Sequence, residues 1–386
     1  MFRFLSVLLV SFAILLAPAQ AQSPKAGFAK DKSAFKGGKA GKGARAGAWT
    51  EDPRARKPPI RWIDVHMHML APRAAGFEKT TQMALAEMNR YGLAGAVIMP
   101  QPLSPGDFTE FARSLQRHPD RFAFLGGSDR LNTIIHTTER EAVTAELKEQ
   151  FVAYAESVLN AGGGGWGEMA TLHFSLADGH KYMRAEPDHP LFLALAEVAG
   201  RYDAVIDLHH DPIAGAKPLA AGLKSPPNPA QVPDNMAAFE RLLAHDRRAK
   251  IVWAHGGMDP FGGMTPQLVG RLMDKHPNLY MSLRVPPPPI DVVPHLGIKI
   301  RNKILHPHGV DRDWLAVLLR HPDRFVLGTD SFFIVEGSTA PTTAFVAGNE
   351  VKLLATNLFL ASIPGDLARR IAVENPVRIY KLELKK

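Results

Sequence analysis

The sequence predicts a (β/α)8 barrel of the TIM type behind a disordered, basic N-terminal tail, and three observations carry that expectation. Past Ile60, short apolar runs alternate with stretches of helical spacing eight times over. Such alternation implies parallel strands joined by crossovers, and eight units in about 325 residues suit a barrel with insertions. The junction between helix and next strand also recurs: His-Pro-Asp-Arg-Phe stands at 118–122 and again at 321–325, with His-Pro-Asn-Leu-Tyr at 276–280. The competing architecture is a doubly wound open sheet. Gly162–Gly165 has neither the Lys nor the Ser/Thr of a phosphate loop, and reads instead as a flexible entry to the fourth strand.

Taken in order, Met1–Ala21 has the three parts of a secretory signal: Arg3, the apolar run Phe4–Leu16, and Ala19-Gln20-Ala21 as cleavage site. The run is shorter than the roughly 20 residues that span a bilayer, so no transmembrane segment is expected. No Cys follows to carry a lipid anchor, and the periplasm or the exterior is the expected address. Gln22–Pro59, rich in Lys, Gly, Ala and Pro, cannot bury enough surface to offset its chain entropy and is expected to be disordered. Its ten basic residues against three acids suit either a loose tether to an anionic surface or a solvated linker.

The catalytic domain is expected over 60–386. Its strands are expected at Arg61–His66, Ala94–Pro100, Arg121–Gly126, Gly163–Glu168, Asp203–His209, Lys250–His255, Asn278–Arg284 and Arg324–Asp330. Helical spacing falls at Thr80–Tyr91, Glu139–Leu159, Pro190–Arg201, Ala237–His245 and Trp314–Arg320. His118, His276 and His321 each end a helix before a Pro, a structural position that favours a cation.

Composition excludes several classes. The 386 residues carry a net charge of +8, but 11 basic residues and only Asp31, Glu51 and Asp52 fall within the first 59. The body is thus formally neutral and lacks the basic footprint of a nucleic-acid-binding domain; a small-molecule substrate is the expected partner. A 46% hydrophobic chain of this length buries a large core. The absence of Cys excludes a disulfide scaffold and leaves His, Asp and Glu as metal ligands.

In a barrel strand alternate residues face inward, and the C-terminal ends build the active site. In the first strand, parity turns Ile63 and Val65 toward the helices and Asp64, His66 and His68 inward. In the fifth, Ile206 and Leu208 face out and Asp207 and His209 in, with His210 on the wrong parity. Val252 and Ala254 are assigned outward and His255 inward; Phe325 and Leu327 outward and Asp330 inward. Glu168 ends the fourth strand, and Trp166 shares its parity, to fill the barrel or stack on a substrate. In the seventh, Tyr280, Ser282 and Arg284 face in, and Arg284 is either a bidentate clamp for a carboxylate or phosphate or a salt bridge closing the barrel end. His173, His210, Asp211 and Asp259 lie just beyond strand ends as pocket lining, while nothing decides a role for His306 and His308.

Four His and two carboxylates on one rim would leave several kcal/mol of buried polar cost unless something binds them. A divalent metal is therefore expected at His66, His68, Glu168, His209, His255 and Asp330. Imidazole with carboxylate suits zinc or a related first-row ion.

Ile63-Asp64-Val65-His66-Met67-His68 resembles the opening signature of the amidohydrolase superfamily. Trp166-Gly167-Glu168, Ile206-Asp207-Leu208-His209, the Ile251–Gly257 stretch and Val326-Leu327-Gly328-Thr329-Asp330 follow in the superfamily's order. The closing Glu374–Tyr380 is similar to the last helix of its amidohydrolase-related (amidohydrolase 2) branch. The resemblance implies that His66 and His68 bind the buried metal with Asp330, which exchanges a proton with the nucleophilic water, and that His209 is the fifth-strand ligand. It gives His255 either a second metal or a hydrogen bond to substrate. Glu168 stands where many members carry a bridging carboxylated lysine and others a glutamate, so one or two ions are implied.

The expected activity is an exported metal-dependent hydrolase acting through activated water on an ester, lactone, amide or phosphoester of a small, anionic substrate. A one-metal decarboxylase of aromatic acids (a lyase) is the alternative, and a barrel kept only as a periplasmic binding or scaffold protein is the third reading. The intact six-position set argues against the last.

Overall fold

The computed structural model describes residues 48–70, 76–100, 108–175, 182–219, 223, 228–293, 298–334 and 348–383. The expected signal peptide and most of the basic tail lie outside the described residues. Within them each of the eight expected apolar runs contains a strand of one curled sheet. In chain order these are β1 (Trp62–Leu70), β2 (Leu93–Met99), β3 (Phe122–Phe124), β4 (Gly126–Gly127), β5 (Gly165–His173), β6 (Val205–His210), β7 (Lys250–Gly256), β8 (Leu279–Leu283) and β9 (Phe325–Leu327), followed by β10 (Ser331–Ile334). Neighbours run β3-β2-β1-β9-β8-β7-β6-β5-β4, all parallel, and β10 adds to β1 beyond β9. Only Leu125 separates β3 from β4, and its N–H donates to Ile98 of β2 at 2.9 Å.

Helices cross outside the sheet: α1 (Gly76–Tyr91), α2 (Phe108–Gln116), α3 (Ser128–Thr137), α4 (Ala145–Asn160), α5 (Pro190–Tyr202), α6 (Met236–His245), α7 (Pro266–Lys275), α8 (Arg312–Arg320) and α9 (Asn349–Leu360). Their starts are written in the sequence. Thr265 accepts from Leu268 N–H at 3.1 Å with Pro266 in the first turn, where a missing N–H costs nothing. The single helix expected over Glu139–Leu159 begins instead at Ala145, because Thr144 caps it through Leu147 N–H at 3.2 Å. Among the described residues no helix is long and apolar enough to cross a membrane.

Two apolar layers sandwich the strands. The outer one holds Trp62, Trp166, Ile206, Leu208, Trp253, Met281 and Phe325 against the helices. The inner one holds Ile63, Val65, Val97, Leu125, Val205, Val252 and Val326, plugged by Ile379, Tyr380 and Leu382. Ile63, Val65 and Val252 therefore face inside, contrary to the parity reading. Pairing slips between Asp64 and Met67 in β1 and between Trp253 and Gly256 in β7. Such a slip reverses which face later side chains take, so apolar residues fill the lower interior and the histidines still reach the upper end.

The Gly162–Gly165 run is pinned rather than flexible. Gly164 N–H donates to Phe124 O at 2.9 Å. A Cβ on Gly165, whose φ is 151°, would lie 2.0 Å from Val205 O, so only glycine lets β5 close on β6 there.

The expected linker also ends early. Ala48–Glu51 and Pro53–Arg56 are helical, Asp52 capping the second by accepting from Arg54 N–H at 2.9 Å, and Ala55 is buried. Asn357 of α9 holds this segment: its Oδ1 accepts from Trp62 Nε1 at 2.8 Å and its Nδ2 donates to Ala55 O at 2.9 Å and Tyr91 O at 3.2 Å. Asn357→Ala should cost about 2–3 kcal/mol, since it strands a buried indole N–H and two carbonyls. A thermal melt reads that loss; an unchanged midpoint would mean that water replaces the amide.

Candidate metal centre

The upper ends of β1, β5, β6 and β7 and the bend after β9 bring six side chains together. Glu168 is central and divides its oxygens. Oε1 meets His209 Nδ1 at 2.7 Å and His255 Nε2 at 3.1 Å, and Oε2 faces His68 Nε2 at 3.5 Å and His66 Nε2 at 3.8 Å. Asp330 Oδ1 lies 3.3 Å from His68 Nε2 and 4.0 Å from His66 Nε2. Donors held tetrahedrally about 2.0–2.1 Å from one ion stand roughly 3.3–3.4 Å apart, a spacing that His68 keeps to Glu168 Oε2 and Asp330 Oδ1, at 3.5 and 3.3 Å. The ligand atoms of His66, His68 and Glu168, and those of Glu168, His209 and His255, each fall within 4.8 Å of one another. His66 Nε2, both ring nitrogens of His68 and His255 Nδ1 are buried with no hydrogen-bond partner. Orphans of that kind call for an occupant, and the donor set fits a divalent ion of zinc type.

Backbone shape serves this convergence. His255 and Asp330 have φ of 70° and 55°, a region that a residue with a Cβ occupies at a cost of about 1–3 kcal/mol and one enriched at functional sites. A Cβ on Gly328 would stand 2.7 Å from His66 Cβ, so the bend can approach β1 only through glycine.

Asp207, which parity turned inward without assigning a role, accepts from His66 Nδ1 at 3.1 Å. This fixes the tautomer and turns Nε2 to the ligand side, the usual partnership of a metal-bound imidazole. Asp64 was placed with His66 and His68 but belongs to the frame. Its carboxylate accepts from His66 N–H at 3.0 Å, Thr329 N–H at 3.1 Å and Thr329 Oγ1 at 2.6 Å, clasping β1 to the bend.

Charge is concentrated here. Burial opposes a charge on His66, but Asp207, Glu168 and Asp330 outweigh it and raise its pKa to about 9. Burial likewise opposes charge on His209, and Asp211 at 3.3 Å with Glu168 raises it to about 10. His255 is pushed down to about 3 by burial and by the charges of His66 and His209, against its bond to Glu168. Burial favours the neutral acid in Glu168 and Asp330, yet both are held well below the carboxylate range, Glu168 by His209 and His255 and Asp330 chiefly by Arg284. An incoming cation must displace the ring protons. Zinc binding at pH 8 should therefore release about two protons per chain, and affinity should fall as pH drops below the raised pKa values. Calorimetry in buffers of different ionisation enthalpy counts them; a release near zero would mean both rings start neutral.

The remaining sequence candidates separate. Arg284 Nη1 pairs with Asp330 Oδ2 at 2.7 Å, its side chain 23% exposed at the rim. Trp166, expected either to fill the barrel or to stack on a substrate, is fully buried in the outer layer and donates to Ala155 O of α4 at 3.0 Å. Pairing slips between Trp166 and Met169, which puts Trp166 and Glu168 on opposite faces. His210 turns outward to Thr171 Oγ1 at 2.8 Å and stacks on Phe239. Asp259 accepts from the N–H groups of Phe261, Gly262 and Met264 and builds its own loop. His173 lies beside His209, ring centroids 5.1 Å apart. His306 pairs loosely with Asp311 at 3.9 Å, and His308 is exposed. His276 and His321 pair with Glu240 and Asp274 at helix ends.

No family model matches the chain, and no curated protein does. Solved structures resemble it at low identity. The phosphotriesterase from Mycobacterium tuberculosis is 15% identical, with a TM-score of 0.46 over 85% of this chain and 95% of that one. A mutant of organophosphorus hydrolase from Deinococcus radiodurans is 14% identical, with a TM-score of 0.47 over 84% and 94%. Over most of its length the chain is likewise similar to amidohydrolase 2 from Bifidobacterium longum subsp. infantis, 13% identical, with a TM-score of 0.42 over 84% of this chain and all of that one.

Proposed function

We propose that the chain is an exported two-metal hydrolase of the amidohydrolase type that cleaves an ester, lactone, amide or phosphoester of a small anionic compound. The observation that carries the reading is the division of Glu168, one oxygen toward His66 and His68 and the other toward His209 and His255. We read the sheet as a closed eight-stranded barrel in which β3 and β4 are one strand interrupted at Leu125; the six residues then sit at the C-terminal rim, where such barrels place their chemistry.

His66, His68, Asp330 and Glu168 Oε2 would hold one ion, and Glu168 Oε1, His209 and His255 the other, zinc suiting both donor sets. Bound there, a divalent ion lowers the pKa of its water from about 16 toward 7 and polarises the scissile oxygen. Asp330, kept ionised beside Arg284, takes the proton of the attacking water and returns it to the leaving group. Arg284 has N–H groups beyond its bond to Asp330 and would meet a substrate carboxylate or phosphate at the rim. Met1–Ala21 would direct export, and the basic tail would link or loosely tether the barrel.

Metal analysis of the purified chain, with hydrolysis of 4-nitrophenyl acetate, a γ-lactone and a 4-nitrophenyl phosphoester, tests this. Two equivalents of metal, with turnover lost to a chelator and restored by zinc, are expected. No metal retained after reconstitution with zinc, cobalt or manganese would overturn it. One equivalent, with carbon dioxide released from an aromatic acid and no hydrolysis, would replace it with the lyase reading.

A further inference from the structure

We propose that Lys352 is a positioning residue that, with Asn349 one turn earlier, clamps the backbone of residues 330–332 and so sets both Asp330 and the ring packed on His68. The inference rests on the metal-centre reading above. Asp330 N–H donates to His66 O at 2.9 Å, which ties one side of the bend to β1. The other side is held from α9. Lys352 Nζ donates to Asp330 O. Asn349 brackets Phe332, its Oδ1 accepting from Phe332 N–H at 3.1 Å and its Nδ2 donating to Phe332 O at 2.7 Å. Phe332 sits opposite His68 in the β10–β1 register, and its ring stacks on the imidazole at 4.7 Å between centroids and 25° between planes. The Lys352 ammonium lies 5.6 Å from the other partner in that stack, the Phe332 ring. Cation and candidate ligand thus meet at one aromatic ring, anchored at a bend whose carboxylate faces the same His68.

The choice of a lysine is otherwise costly. Lys352 is half-buried, and among the described residues it forms no ion pair with a carboxylate. It also shares the neighbourhood of Asp330 with a second cation, Arg284. An apolar side chain would pack there more cheaply, but could not hold the Asp330 carbonyl at a positive φ.

The test uses the full chain carrying Lys352→Met or Lys352→Arg, with zinc affinity, the visible spectrum of the cobalt(II)-loaded protein, and kcat and KM for 4-nitrophenyl acetate. Lys352→Met should weaken zinc binding by about 10–100-fold and lower kcat with it, the scale for outer partners of metal ligands. KM should stay near wild type, and the cobalt bands should shift. Lys352→Arg, which keeps charge and donor, should recover affinity and spectrum. If the Met variant does not fold, Lys352→Gln carries the same comparison. Wild-type affinity and spectrum in the uncharged variant would overturn the clamp and leave the two-metal reading intact; a wild-type chain that binds no zinc would overturn both.

Discussion

Glu168→Ala should reduce bound metal from two equivalents to one or none and lower hydrolysis at least about a thousandfold. The size follows from position: one carboxylate faces all four candidate histidines, so its loss opens both coordination groups together. It also removes a charge that raises the pKa of His66 and His209, so whatever metal still binds should expel fewer protons. Glu168→Gln keeps the volume but replaces one oxygen with a donor, and should lose mainly one ion. Metal analysis beside the activity assay separates the cases. Two equivalents in the alanine variant would remove Glu168 from the bridge and move the chain toward one-metal chemistry.

Asp330→Asn should leave most of the metal in place and lower kcat by about a hundredfold to ten-thousandfold, with KM little changed. An amide cannot take a proton from water, whereas one oxygen still faces His68. The change also deprives Arg284 of its anion, 2.7 Å away in the native chain. Steady-state kinetics across pH 6–9 are the check. Because Asp330 is held ionised well below this range, the wild-type profile should show no acidic limb from Asp330. A variant with unimpaired kcat would remove the proton shuttle from the mechanism.

The strands are legible because most are apolar runs bounded by Pro or Gly, and the four candidate histidines each lie within 4.0 Å of Glu168 or Asp330. What parity could not supply is where it breaks. Slips in pairing within β1, β5 and β7 change the faces along those strands. They explain why Ile63, Val65 and Val252 line the interior and why Trp166 and Glu168, two residues apart, part company. Such slips arise from pairing between distant strands, and no local pattern announces them. Asp207 was visible as an inward carboxylate, but its bond to His66 depends on β6 lying across the sheet from β1. Ala55 is hidden by composition: a Lys- and Pro-rich stretch reads as solvated until Asn357, some three hundred residues later, donates to its carbonyl.

The inner plug makes the core depend on residues distant in sequence. Ile379, Tyr380 and Leu382 fill the lower interior with side chains from strands spread from β1 to β9. These three lie far along the chain from most of what they cover, and β1 likewise takes its partners on one side from β9 and β10, more than 250 residues away. A chain cut before Ile379 would leave the apolar side chains of Ile63, Val65, Val205, Val252 and Val326 without the cover these three residues give them.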